Sequence, residues 1–104
     1  MYSLAGLRAT WTDEAAFRLE VLLFIALLPV AVLLAPDRLS LVLMIGSMFV
    51  VMICELVNTA IEAAIDRIGT ERHPFSKKAK DVGSSAVLLS LINFAMVWGI
   101  VLYS

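Results

Sequence analysis

Apolar and polar positions divide the chain into four stretches. In residues 1–20 they are mixed: Leu4, Leu7, Trp11 and Ala15 recur at helical spacing, with Arg8, Thr12 and Glu14 beside them. This spacing predicts an amphipathic helix lying in a membrane interface, with Trp11 at headgroup depth. Residues 21–35 are an unbroken apolar run closed by Pro36-Asp37-Arg38. The run is short against the roughly 20 residues of a span, so the first spanning helix is expected to cover residues 17–35, kinked at Pro29. A second apolar run starts at Leu39 and passes without a breaker into a polar sequence, so one helix over residues 39–67 should carry both. Residues 67–81 read as the long polar loop, in which Gly69-Thr70 stops the helix and Pro74 breaks the chain again. A third span is expected within residues 82–103, with Trp98 and Tyr103 as an aromatic belt. Within the spans, Gly46 and Ser47 allow close helix packing, Ser85 and Asn93 are expected to bond to other helices, and Met44, Met48 and Met52 form a packing stripe. The fold expected is one all-α membrane domain over residues 1–104: an N-terminal interfacial helix and three transmembrane helices.

Composition sharpens this picture. With 62% hydrophobic residues, 16% charged and a mean hydropathy of +0.96, the chain is too apolar for a small soluble fold. A net charge of −1 without a basic face excludes a nucleic-acid partner. Cys54 is the single cysteine, so there is no disulfide framework. No cleavable leader is expected from the polar opening of the chain. Basic residues concentrate in the long loop (Arg67, Arg72, Lys77, Lys78, Lys80), against Arg38 alone between the first two spans. That asymmetry predicts a multi-pass membrane protein with a cytoplasmic N-terminus and long loop and an external C-terminus.

Candidate chemistry centres on the continuation of the second span. Glu55, Asn58, Glu62 and Asp66 share one stripe at helical spacing, and Glu55 is still embedded in apolar sequence. Glu55 and Glu62 lie two turns apart, about 10 Å along the axis. Glu14, Glu20 and Lys80-Asp81 come to the same end of the helices. Ionisable groups at a membrane boundary are costly unless they hold cations or do chemistry. Carboxylates of this kind suit a hard cation such as Mg²⁺, which binds through one or two of them together with substrate phosphates. The chain has neither a phosphate-binding Gly-x-x-x-x-Gly-Lys loop nor a Gly-x-Gly-x-x-Gly turn, and a single histidine is too few for a zinc site. A channel or transporter subunit would line the span with its carboxylates; here they gather at one end.

The segment Glu55-Leu56-Val57-Asn58-Thr59-Ala60-Ile61-Glu62-Ala63-Ala64-Ile65-Asp66-Arg67 closely resembles the signature of the small prokaryotic integral-membrane diacylglycerol kinases. So do Trp11-Thr12-Asp13-Glu14-Ala15-Ala16-Phe17-Arg18 upstream and Ala79-Lys80-Asp81-Val82-Gly83-Ser84-Ser85-Ala86 downstream. The resemblance covers essentially the whole chain in order and spacing, and implies that the chain opens part-way along the family's surface helix. It implies a lipid kinase that moves the γ-phosphoryl group of ATP, with Mg²⁺, to diacylglycerol, in a homotrimer whose sites draw on neighbouring chains. An undecaprenol kinase of the same fold is the nearest alternative.

Residue by residue, the resemblance makes Glu55 the general base towards the lipid hydroxyl, supported by Asn58, with Glu14 and Glu62 holding the metal ion. Tyr2, Glu14, Glu62, Glu71, Arg72, His73, Lys80 and Asp81 become nucleotide positions. Arg8, Ala9, Thr10, Trp11, Ala16, Phe17, Arg18, Leu19, Glu20, Glu55 and Ser84 become lipid positions.

Overall fold

The computed structural model describes residues 2–69 and 73–103. Four helices account for nearly all of them: α1 (Tyr2–Asp13), α2 (Ala15–Leu34), α3 (Arg38–Ile68) and α4 (Pro74–Tyr103). The last three are each long and apolar enough to cross a membrane, in a body of 50 × 29 × 20 Å. At 31 residues, α3 is the longest and the one on which α4 and α2 pack. As its pattern predicts, it runs without interruption from the apolar stretch through the carboxylate stripe. Asp37 caps its start, accepting a 2.7 Å hydrogen bond from the Ser40 amide. That bond holds the Asp37 carboxyl below its ordinary range, so the cap acts at neutral pH and is lost as pH falls through the lowered value. Gly69 ends α3 in extended backbone.

Phe24 and Ala31 of α2, Met44, Met48 and Val51 of α3, and Trp98 of α4 form the buried core. The Phe24, Phe94 and Trp98 rings stack in sequence at 5.6 and 5.3 Å between centroids. The methionine stripe is therefore packing, as expected, with Met52 partly buried against the same cluster.

Trp98 overturns its assignment to an aromatic belt. It is only 8% exposed, and its Nε1–H donates to the Met44 carbonyl 3.1 Å away. The same carbonyl accepts the Ser47 hydroxyl at 2.7 Å. An indole buried among apolar side chains needs an acceptor, and this one ties α4 to the second turn of α3.

Among the described residues of one chain, neither Ser85 nor Asn93 bonds to another helix. Ser85 is exposed and donates to the Asp81 carbonyl of its own helix at 2.9 Å, while Asn93 is exposed on α4. A serine hydroxyl reaches its own helix's preceding turn more readily than a neighbour. Gly46 has nothing within 4 Å of where a Cβ would stand; the close approach within the chain occurs instead at Gly83.

Two boundaries move. Pro74 does not break the segment; it begins α4, because proline lacks the amide that the first helical position leaves unpaired and its φ suits a helix. Helix α1 closes at Asp13, short of the expected residue 20, and residues 15–20 open α2 instead. The Nη1 of Arg18 donates to the Trp11 and Thr12 carbonyls at 2.7 and 2.9 Å. In an unbroken helix the amides of Ala15 and Ala16 would take those carbonyls. The guanidinium replaces them and sets a cation at the C-terminus of α1.

Candidate active site

The α1–α2 elbow, the C-terminal half of α3 and the first turns of α4 meet at one end of the molecule. A cleft of about 440 Å³ opens there between α1 and α3, with Gly6, Ala9 and Thr10 on one wall and Thr59, Ala60 and Ala63 on the other. Four carboxyl-bearing residues line it: Asp13 and Glu14 from the elbow, Glu62 and Asp66 from α3. Glu14 stands at the N-cap position of α2 in extended backbone, yet its side chain makes no capping bond. Its carboxylate is thereby left to the cleft.

Next to the cleft, Glu55 is half-buried on α3, within Coulomb reach of both Glu62 and Glu14, and Glu20 of α2 is within reach of Glu55. A single chain thus brings Glu14, Glu20, Glu55 and Glu62 together. Glu20 does not pair with Arg18, which is engaged at the end of α1; one buried oxygen of Glu20 has no hydrogen-bond partner among the described residues. Asn58, one turn beyond Glu55, donates through Nδ2 to Glu62 Oε1 at 3.1 Å. This bond fixes one oxygen of Glu62 and leaves the other directed elsewhere.

Two of the basic groups beside the cluster are already paired. Lys80 Nζ meets Asp66 Oδ1 at 2.8 Å, linking α4 to α3, and Lys77 meets Asp81 at 2.6 Å within α4. Both pairs are exposed to solvent, where such bridges contribute little. An incoming phosphate can displace them at small cost.

The remaining expected positions fall as follows. His73 precedes α4 and accepts the Phe75 amide at 3.1 Å through Nδ1, stacking on the Phe75 ring at 5.4 Å. Tyr2, Arg8, Trp11, Ala16, Leu19 and Ser84 are exposed; Ala9 and Thr10 line the cleft. Phe17 is 5% exposed, so a single chain already covers it. Glu71 and Arg72 lie outside the described residues. Asp13, Thr59 and Gly83 join the site without having been assigned to it from sequence, and Asp66, read there only as a member of the α3 stripe, lines the cleft. For Asp66 the signal was present in the α3 stripe; for Gly83 only the packing of α4 on α3 reveals it.

The donor set fits a hard divalent cation. Glu14 and Glu62 supply oxygen ligands from two elements to one cleft, in a group of carboxylates whose mutual repulsion a cation relieves. Among the described residues no three His, Cys, Asp or Glu side chains are grouped so as to hold an ion. Glu14 and Glu62 would therefore fill part of a coordination shell completed by water and phosphate.

The sequence profile of the prokaryotic diacylglycerol kinase family matches residues 1–102. The diacylglycerol kinase of Escherichia coli (strain K12) is 48% identical over 103 residues, covering 99% of this chain and 84% of that protein. That of Pseudomonas aeruginosa is 48% identical over 101 residues, 97% of this chain and 82% of its own. That of Haemophilus influenzae is 44% identical over 102 residues, 98% of this chain and 86% of its own.

Proposed function

Since the chain belongs to the prokaryotic diacylglycerol kinase family, we propose that this cluster transfers the γ-phosphoryl group of ATP to the primary hydroxyl of diacylglycerol, giving phosphatidic acid. The observation that carries the assignment to this end of the molecule is the convergence of Glu14 and Glu62 on one cleft, with Glu55 within Coulomb reach of both.

Each side chain has a distinct task in this reading. Glu55, half-buried at the point where apolar sequence gives way to the polar stripe, accepts the proton of the lipid hydroxyl as its oxygen attacks phosphorus. A carboxylate there can meet both a lipid headgroup and a nucleotide arriving from water. Asn58 orients Glu62 through their hydrogen bond. Glu14 and Glu62 hold Mg²⁺, which when bound offsets the charge on the phosphoryl oxygens. Lys80 exchanges Asp66 for phosphate, Asp81 orients the nucleotide, and His73, Glu71, Arg72 and Tyr2 contribute to its binding. The lipid lies along Arg8, Trp11, Arg18 and Ser84, with α1 in the interface.

Only a small share of each spanning helix is buried within one chain, and Ser85 and Asn93 face outward from α4. Polar positions in a membrane are expected to face a bundle interior, which supports a homo-oligomer; by family resemblance it is a trimer. The positive-inside rule puts the cleft and the N-terminus in the cytoplasm. In a Cys54→Ala background, a cysteine at Tyr103 should react with an impermeant thiol reagent added to intact cells, and one at Ser76 should not. The opposite labelling would set the cleft on the side without ATP.

Substrate choice is tested by offering diacylglycerol and undecaprenol together in mixed micelles. Diacylglycerol should be phosphorylated at least about tenfold faster, a factor that one or two headgroup contacts supply. Preferential phosphorylation of undecaprenol would move the protein to that branch.

A further inference from the structure

Gly83 lies in the interior of α4, three residues after Lys80 and one before Ser84, and is buried against α3. Glycine is a poor helix former, so its use at a helical contact calls for a reason. Gly6, Gly46 and Gly99 also lie in helices, but no atom comes within 4 Å of where their Cβ would stand. At Gly83 a Cβ would overlap Asn58 Oδ1, with Asn58 Cγ at 3.4 Å and Ile61 Cδ1 at 3.6 Å. The Ile61 distance is ordinary contact; the conflict is with the Asn58 amide alone. That amide is the group whose Nδ2 holds Glu62 at 3.1 Å, and its Oδ1 is buried without a hydrogen-bond partner among the described residues.

We infer that Gly83 is a positioning residue of the transfer site: its missing side chain is the space in which the Asn58 amide sits to orient Glu62. The inference rests on the kinase reading for the role of Glu62, but the packing relation stands apart from it. Any side chain at position 83 must turn the Asn58 amide away, because that amide is the movable end of the clash and the two helix backbones are not. The Asn58–Glu62 hydrogen bond is then lost while α4 remains a helix. Indeed, alanine is the better helix former, so catalysis and stability should respond differently.

The test uses Gly83→Ala in the full-length protein in detergent micelles. Turnover should fall about tenfold, the lower end of what losing a partner that orients a metal ligand costs, with little change in KM for ATP or lipid and no lowering of the thermal unfolding midpoint. Asn58 and Asn93 are the asparagines of the chain, so side-chain ¹⁵N-asparagine labelling gives an NMR readout independent of activity. The Asn58 amide signals should shift and those of Asn93 should stay. In an Asn58→Ala background, where no amide remains to be displaced, Gly83→Ala should change the residual turnover less than about twofold. Independent, multiplying losses in the double variant, or an unmoved Asn58 signal, would overturn the inference.

If Gly83→Ala alone fails to assemble, the double variant decides. Assembly restored by Asn58→Ala locates the clash at Asn58, and a double variant equally unable to assemble refutes it. Absence of phosphoryl transfer by the unmodified protein would instead reject the kinase reading, leaving the spectroscopic and assembly results to judge Gly83.

Discussion

Glu55→Gln should lower turnover by a factor of at least about 100, the scale of a lost general base, while the protein stays folded in detergent. The substitution keeps the shape and the hydrogen-bonding reach of the side chain and removes only its capacity to take a proton. Its structural cost should be small, because the neighbouring charges that act on Glu55 are the like charges of Glu62 and Glu14. Removing one negative charge from such a group does not break a stabilising pair. A large loss of turnover therefore has to be read as lost chemistry. Turnover within a few-fold of the unmodified protein would take Glu55 out of the mechanism, and the proton would need another acceptor.

Glu62→Gln should act through the cation requirement. The amide oxygen of glutamine can still accept the Asn58 hydrogen bond that Glu62 Oε1 accepts at 3.1 Å, so the local packing survives and the anionic ligand is lost. The Mg²⁺ concentration for half-maximal activity should rise on the order of tenfold or more, at the scale by which altered metal surroundings reduce affinity, with a smaller effect on the apparent affinity for lipid. Glu14→Gln should behave alike, since Glu14 is not consumed in capping α2. A Mg²⁺ dependence unchanged in both variants would reassign the two residues to structural roles.

The parts of this fold that were legible in the sequence are those that a single helix decides. The continuity of α3 from Leu39 to Arg67 follows from an unbroken pattern, and the same periodicity places Glu55, Asn58, Glu62 and Asp66 on one stripe. What the pattern could not supply depends on partners distant in sequence. The break at Glu14 has no glycine or proline to mark it; it depends on the Arg18 guanidinium reaching back to Trp11 and Thr12. Trp98 stands near the end of an apolar run, where an interfacial role is the natural reading. Only the packing of α4 on α3 shows that its indole faces the Met44 carbonyl, 54 residues away.

The candidate site divides along the same line. Its α3 half could be read from spacing, whereas the arrival of Glu14 at that stripe was an implication of family resemblance until the fold placed both on one cleft. Proline at position 74 illustrates a different limit. The same residue stops a helix or starts one, and the choice belongs to the chain on either side of it. Gly83 stood in the sequence only as part of the segment from Ala79 to Ala86, and its contact with Asn58 exists only once two helices are packed.

The most direct measurement of the central claim is label transfer by the purified protein in mixed micelles containing diacylglycerol, with γ-labelled ATP and Mg²⁺. Radioactive phosphatidic acid should form in proportion to protein, be abolished when the divalent cation is chelated and fall at least about a hundredfold in Glu55→Gln. Release of inorganic phosphate without labelled lipid, or transfer undiminished in Glu55→Gln, would contradict it.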